Sequence, residues 1–541
     1  MSQKYILPLT LIIVVIYVLS IFSPFLIGGD SITYFIIAKN MVLNDHWLWL
    51  VNSDGPWLDK PHLPFWLTAF SFKLFGFHPW SYLLPGAIFY LLGAMYTYKL
   101  ALLLYNNKGT AELACLMYVT TAALMGCSLD LKAEAYLLGE IIPASYYLLK
   151  YHQKTKLRYL FLSSLFAALA LMTKGLFTLI TVSTGVIALF IYQKQYQNFV
   201  SIKWWSVVAL TFIFAAPEFI ALYTQFGSTG IKWFFIGSQF GRFFDNGRIT
   251  QAHGGTLYYF LGVFLWSFLP WTLVFIAAVL HIVKNFKQQV LEQKQAVIYL
   301  LSIFVITFIM FSLSQFQFDY YIDIILPFAA ILSAYYLGEQ RQHAAKNPIF
   351  KIQLGIAMIL LFLTLILIAL AAIKANPYFM LFSMLPALLL LGMLFTWSKL
   401  SLFQKAISYS ALTASILFFI GVAMQVILFA PLNAGYVIAQ VVNQQGDHLP
   451  IYEFTQSSVS VYVQQPSMMV SSLDQLPKDS SYYLIVQDPE ENVSAILQQF
   501  PHAKVILNQD FYHIGKFLGY VTWSEAKIRA EAQHTFLLKI N

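Results

Sequence analysis

Asp30 and Tyr34 stand one helical turn apart at the end of the first apolar run of this chain, and Asp59-Lys60-Pro61-His62 follows soon after. A carboxylate at a helix start can take a proton from a hydroxyl, and a lysine held extended by the next proline can hold an anion. Three more groups share that character: Asp130, Lys132 and Glu134, with the two carboxylates one turn apart; Lys174 before Gly175; and Arg242, Asp245, Arg248 and His253. If these five groups meet, they make a pocket with carboxylates at its centre and cations around it. The chemistry that fits is group transfer from a lipid-linked phosphate. Lys60 and Arg242 would hold the phosphate leaving group, and Asp30 would act as base toward an acceptor hydroxyl.

Each group also has an ordinary explanation. A Lys or Arg at a helix end commonly reaches for the headgroups, and Asp130 and Glu134 would pair with Lys132 and Lys174 in a structural ion pair. His253 reads equally as a polar loop residue. No spacing of His, Asp or Glu demands a metal, and a divalent cation stays open as a cofactor. Glu140 and Glu218 lie deep in apolar runs and must face the bundle interior, toward partners the sequence does not name. Asp319 and Asp323 flank the outer end of another run.

The elements that must position these residues follow from composition. Of 541 residues, 59% are hydrophobic, 17% aromatic and only 10% charged, which fits a polytopic membrane protein and no water-soluble domain of this size. The net charge of +8 sits mainly in short loops between apolar runs, so it is a topology signal and implies no nucleic-acid partner. Cys115 and Cys127 share one apolar run and offer neither a disulfide framework nor a zinc spacing.

Apolar runs fall at 5–27 and near 81–104, 111–129, 133–150, 158–173, 175–193, 204–224, 256–281, 296–314, 320–338, 352–373, 377–397 and 405–430, about thirteen spans of roughly the ~20 residues a bilayer requires. The first run is longer than the apolar region of a signal peptide and reads as a retained helix. Lysines and arginines concentrate in alternate loops (105–112, 151–158, 193–203, 281–294, 339–351 and 398–405), which puts those loops and the N-terminus in the cytoplasm. The complementary loops, with 28–80 the longest, are then outside with all the candidate groups. The chain divides into a membrane domain, 1–430, and an outer α/β domain, 435–541. The latter alternates β-like runs (Pro450 to Glu453, Val459 to Val463, Tyr482 to Val486, Ala503 to Leu507 and Lys516 to Val521) with a helical stretch, Glu490 to Phe500.

Read together, the motifs resemble a known family. Asp30-Ser31-Ile32-Thr33-Tyr34, Lys60-Pro61-His62-Leu63-Pro64-Phe65-Trp66, Thr173-Lys174-Gly175, Arg242-Phe243 with His253 and Tyr258-Tyr259, Leu269-Pro270-Trp271 and Phe311-Ser312-Leu313-Ser314 occur in the order seen in the bacterial aminoarabinose (lipid A) transferases and their protein-mannosyltransferase-like relatives. The resemblance implies a GT-C fold with about thirteen transmembrane helices and a small C-terminal periplasmic domain, in the bacterial inner membrane. It implies an inverting glycosyltransferase that draws on a polyprenyl-phosphate sugar donor. The acceptor would be a lipid A-like glycolipid or a protein glycan, and membrane lipids would surround the site.

Carried over by position, Asp30 and Asp130 would be catalytic carboxylates and Lys60 and Arg242 would hold the donor phosphate. Tyr34, His62, Glu134, Lys174 and His253 would line the substrate pocket. The chain departs from the pattern at Ser31 and Thr33, where the family resembled carries a Glu and an Arg, at His62 in place of a second proline, and at Gln315 and Gln317 in place of lysines. These departures leave the scaffold intact and the identities of sugar and acceptor open. Two other readings are weighed against it. A transporter or flippase would suit the many helices with buried acids, but the chain shows no internal repeat and gathers its charge at one face. A receptor or assembly factor would depend on 435–541 for a partner.

Overall fold

The computed structural model describes residues 5–22, 26, 29–52, 55–127, 131–238, 253–254, 256–373, 392, 395–396, 398–429, 433–454, 458–465, 467–470, 472–487, 490–511 and 533–541. Helices dominate, because a backbone in lipid has no water to bond and must satisfy itself. In chain order the first are α1 (Ile6–Ser20), α2 (Gly29–Leu43), α3 (Leu63–Phe75), α4 (Pro79–Tyr105), α5 (Lys108–Val119), α6 (Ala122–Gly126), α7 (Ala133–Gln153), α8 (Leu157–Lys174), α9 (Phe177–Tyr192), α10 (Ile202–Phe214) and α11 (Ala216–Lys232). Further helices run at Tyr259–Ser267, Thr272–Asn285, Leu291–Ser312, Leu326–Gln340, Pro348–Ile373 and Leu402–Phe429.

Among the described residues, six helices are long and apolar enough to cross a membrane, or eight if each of two bent pairs is one crossing. The chain is a multi-pass membrane protein. The thirteen-span count read from the sequence is not reproduced helix for helix: α1 and α9 are apolar but shorter, and the run near 377–397 lies almost wholly outside the described residues. Two runs that read as single spans are broken. The run 204–224 bends by 44° between Phe214 and Ala216, and 256–281 bends by 112° between Ser267 and Thr272. A proline accompanies each break, Pro217 and Pro270, and removes a backbone donor there.

The second break has an evident partner. The run 111–129 is interrupted at Thr120-Thr121, and there the Ala122 amide donates to the Leu269 carbonyl (2.9 Å), while the Trp271 indole donates to the Thr120 hydroxyl (2.9 Å). Gln353 donates to the Pro270 carbonyl at 3.0 Å. Two interrupted helices thereby satisfy each other's polar groups inside the bundle, where a lone interruption would be costly.

At the centre α4 packs on α7 through glycines. A Cβ on Gly139 would lie 2.7 Å from the Phe89 Cα, and one on Gly93 would lie 2.9 Å from the Leu138 carbonyl oxygen. Small residues let the two backbones approach, which is how helices gain contact when lipid is as apolar as they are. This crossing fixes where α7 begins, and α7 begins at the candidate site.

After the short strands β1 (Val51–Asn52), β2 (Gly55–Pro56), β3 (His253–Gly254) and β4 (Phe316–Gln317), the C-terminal region forms a five-stranded sheet from β5 (Ile451–Glu453), β6 (Ser467–Met469), β7 (Tyr482–Gln487), β8 (Lys504–Phe511) and β9 (Gln533–Ile540), in the order β6-β5-β7-β9-β8. β5 runs parallel to β6 and β7, and β9 runs antiparallel to β7 and β8. Alternation along β7 and β9 buries Tyr483, Ile485 and Leu537 in one cluster and Tyr482, Leu484, Val486, Phe536 and Leu538 in another. Helices Ala434–Gln445 and Glu490–Gln499 accompany the sheet. One element is corrected: Val459 to Val463, which alternates like a strand, is a short helix, Val459–Tyr462. Val459, Ser460 and Val461 are all buried, so a turn that packs all round replaces a strand with an outer face. The expected strand Lys516 to Val521 lies outside the described residues, and β9 is a strand that the sequence reading omits.

Gly139→Leu is expected to force α4 and α7 apart and to destabilise the protein by about 1–3 kcal/mol, the range for overpacking. Thermal unfolding in detergent checks this, with Gly126→Ala, whose Cβ would meet open space, as the control.

Candidate functional site

The site is built where the ends of several elements meet. Asp30 is exposed in the first turn of α2, where a carboxylate is favoured by the helix dipole. Ser31, next to it, is fully buried, and its hydroxyl donates to the Leu131 carbonyl at 3.4 Å. The Tyr82 hydroxyl donates to the same carbonyl at 3.0 Å. The first turn of α2 is therefore tied to the residue that follows Asp130. Asp130 itself lies outside the described residues.

One turn along α2, Tyr34 is buried, with its ring edge-on to Trp57 (5.1 to 6.0 Å from Phe65 and Trp57). Burial pushes its phenol well above the usual range, and Asp30, Asp59, Tyr320 and Tyr82 push it further, so Tyr34 stays protonated as a donor. Those four neighbours come from α2, the loop before α3, the segment before Leu326 and α4. Tyr34 marks where they converge.

Lys60 pairs with Asp59, with the lysine side chain mostly covered and the aspartate mostly exposed. Two residues on, His62 is fully buried. Its backbone amide donates to Glu218 Oε2 at 2.9 Å, and its ring Nδ1 faces Glu218 Oε1 at 3.0 Å. Glu218, the buried acid without a named partner, thus anchors the Lys60 loop to the first turn of α11. Gln225, seven residues later on α11, both accepts from the Leu50 amide (2.9 Å) and donates to the Leu50 carbonyl (2.8 Å). The loop between α2 and α3 is strapped to α11 at two points. The segment 239–252, with Arg242, lies outside the described residues.

A second cluster adjoins the first through Tyr320. A cavity of about 250 Å³ is lined by Lys132, Glu134, Trp266, Asp319, Tyr320 and Asp323. Glu134 and Lys174, both almost wholly buried, form an ion pair across from α8 to α7. The Lys132 ammonium sits 4.1 Å from the centre of the Tyr320 ring, and that of Lys174 lies 4.1 Å from Tyr321. Among the described residues Glu134 Oε2 and Asp323 Oδ1 are buried with no hydrogen-bond partner. Free acceptors facing a polar cavity suit a ligand rich in hydroxyl or amino donors. His253 is placed by its backbone: His253–Gly254 pairs antiparallel with Phe316–Gln317, which sets it beside the segment leading to Tyr320.

Of the residues singled out from sequence, the described geometry brings together Asp30, Tyr34, Lys60, Glu134 and Lys174, with His62 behind Lys60. Tyr320, Tyr321 and Lys39 were not singled out. Lys39 carried a usable signal, a lone cation directly after the apolar run Tyr34 to Ala38.

Known proteins resemble this chain in sequence and in fold. Residues 59–220 match the family described as dolichyl-phosphate-mannose-protein mannosyltransferase. The chain is 23% identical over 370 residues to the undecaprenyl phosphate-alpha-4-amino-4-deoxy-L-arabinose arabinosyl transferase 2 of Proteus mirabilis, covering 67% of this chain and 65% of that protein. It is 24% identical over 328 residues to the corresponding transferase of Shewanella sediminis, covering 60% and 58%. The matched region thus spans less than two thirds of these relatives' own length. Crystallographic ArnT from Cupriavidus metallidurans bound to undecaprenyl phosphate superposes with a TM-score of 0.75 at 16% identity, over 99% of this chain and 98% of that one. These are the proteins to which the ordered motifs pointed, and the chain shares the fold of that crystal structure.

Lys174→Met is expected to leave Glu134 buried and unpaired and to cost about 3–5 kcal/mol, while the double change Glu134→Leu with Lys174→Met recovers much of that loss. Unfolding midpoints of the three variants against the parent protein decide it.

Proposed function

We propose that this chain is an inverting glycosyltransferase that takes a sugar from a polyprenyl-phosphate donor and places it on a lipid A-like glycolipid or another envelope acceptor. It would act at the periplasmic face of the bacterial inner membrane, with the N-terminus in the cytoplasm and the C-terminal α/β domain, 435–541, in the periplasm. The lysine-bearing alternate loops support that orientation. The GT-C fold and the similarity to aminoarabinose transferases support the activity. The observation that carries the reading is the Leu131 carbonyl, which takes hydroxyls from Ser31 and Tyr82 and so brings the turn bearing Asp30 against the residue after Asp130.

In the reaction the acceptor oxygen attacks the anomeric carbon, a new glycosidic bond forms, and the bond from that carbon to the phosphate oxygen breaks with inversion. The electron pair leaves on the polyprenyl phosphate. Lys60, released from Asp59, would balance the charge that grows there, with Arg242 as its partner. If the acceptor is a hydroxyl, Asp30 would take its proton; if it is a phosphate, no base is required and Asp30 would steady positive charge on the sugar ring. Asp130 would act beside it. The sugar would occupy the cavity near Tyr320, where Glu134 Oε2 and Asp323 Oδ1 offer acceptors. Tyr34, protonated, would donate at its edge. His62 would serve the site by holding Lys60 in place, and His253 would approach from the paired strand.

The match of residues 59–220 to protein mannosyltransferases favours a second reading, in which the acceptor is a protein hydroxyl. Mass spectrometry of envelope glycolipids and glycoproteins from cells with and without this chain separates the two: a sugar mass lost from a glycolipid supports the first, and one lost from a protein supports the second. Asp30→Asn is expected to lower transfer about 10²–10⁴-fold with membrane insertion unchanged, the usual range for a proton-transfer group. Full activity in that variant removes Asp30 from the mechanism. Lys60→Ala is expected to raise the donor KM roughly tenfold, in keeping with a charged hydrogen bond worth about 1.5–3 kcal/mol.

A further inference from the structure

Lys39 lies nine residues after Asp30 on α2, about two and a half turns along the same helix. It is 2% exposed. Its ammonium donates to three main-chain carbonyls, Ser460 (3.0 Å), Val463 (2.8 Å) and Gln465 (3.0 Å), all from one short stretch of the C-terminal region. An ammonium has three donors and no acceptor, so this cage saturates it. Burial pulls the Lys39 amine down to about 7, with Glu453, itself 1% exposed, working the other way.

The cage is held from behind. The Ser460 hydroxyl donates to Glu453 Oε1 at 2.5 Å and lies 2.5 Å from the Ser467 hydroxyl, which ties the stretch to β5 and β6. Val461, fully buried, joins the core of the membrane bundle rather than that of the sheet. Tyr462 reaches to the other end of α2: its hydroxyl accepts from the Leu26 amide at 3.4 Å and from Asn433 Nδ2 at 3.5 Å. The helix Val459–Tyr462 and the residues after it therefore grip the segment bearing Asp30 on both sides.

We infer that Lys39 is a positioning residue, through which the C-terminal region fixes α2 and so sets the place of Asp30 relative to the anomeric carbon. The inference rests on the transferase reading. The C-terminal region then acts in the chemical step as part of the frame of the site, without contributing a group that touches substrate. A buried cation serves this purpose better than an apolar contact, because three directed bonds define rotation and depth where packing alone would let the helix slide.

The experiment compares full-length wild type, Lys39→Met and Lys39→Arg in proteoliposomes with a polyprenyl-phosphate sugar and an acceptor glycolipid. Lys39→Met is expected to lower kcat at least tenfold with the donor KM within twofold of wild type, and Lys39→Arg, whose guanidinium can still reach several carbonyls, to recover most of the loss. A Lys39→Met protein with wild-type kcat overturns the inference, as does one whose loss lies only in KM. Tyr462→Phe provides an independent arm if Lys39→Met does not fold: it removes one hydroxyl and is expected to lower kcat severalfold, and unchanged kcat there also overturns the inference. A wild-type protein that transfers no sugar at all defeats the transferase reading itself, a result distinct from any of these.

Discussion

A charge taken out of water has to be answered by another charge or by directed hydrogen bonds, and in a chain with 10% charged residues almost every buried charge organises something. The Glu134–Lys174 pair joins α7 to α8 at the cavity. The Glu218–His62 contact joins α11 to the loop bearing Lys60. The Lys39 cage joins the C-terminal region to α2. Apolar packing gathers the helices, but contacts between apolar side chains in lipid leave many arrangements nearly equal. These three polar joints select one arrangement.

That economy explains how the site can be both greasy and reactive. On the proposed reading a polyprenyl chain and a glycolipid would both arrive through lipid, so the groups that act on them would sit at the edge of the membrane. Held loosely there, such groups would turn to the headgroups. Asp59 holds Lys60 against its own loop, and Ser31 and Tyr82 close on the Leu131 carbonyl so that α2 cannot drift from α7. Two positions where the sequence departs from the family it resembles fall at these same joints. Ser31 presents a buried hydroxyl that binds backbone, and His62 presents a ring that Glu218 holds. On the proposed reading, a different sugar or acceptor would be accommodated there.

How much of this was legible beforehand follows from the kind of signal. The helical class and the grouping of Asp30, Lys60, Glu134 and Lys174 came from hydropathy and loop charge, which act locally along the chain. The pairing of Glu134 with Lys174 was one of two alternatives, because spacing brings both to helix ends but does not say which neighbour wins. The partner of Glu218 was hidden for a simple reason: His62 is 156 residues away, and no periodicity links them. Broken helices misled for another. A run such as 256–281 is apolar throughout, and only its partner at Thr120 and Ala122 shows why a break at Pro270 can be stable. The stretch Val459 to Val463 alternates like a strand, yet it is needed as a turn whose carbonyls point one way at Lys39.

The central claim is that a lipid phosphate binds at Lys60 within reach of Asp30. It is tested most directly by determining the structure of the full chain with a polyprenyl phosphate bound. The account predicts the phosphate within hydrogen-bond distance of Lys60 Nζ, with Asp59 turned away and the Glu134–Lys174 pair intact. A phosphate seated on Lys174, or one lying at mid-membrane with the Lys60–Asp59 pair undisturbed, would contradict it.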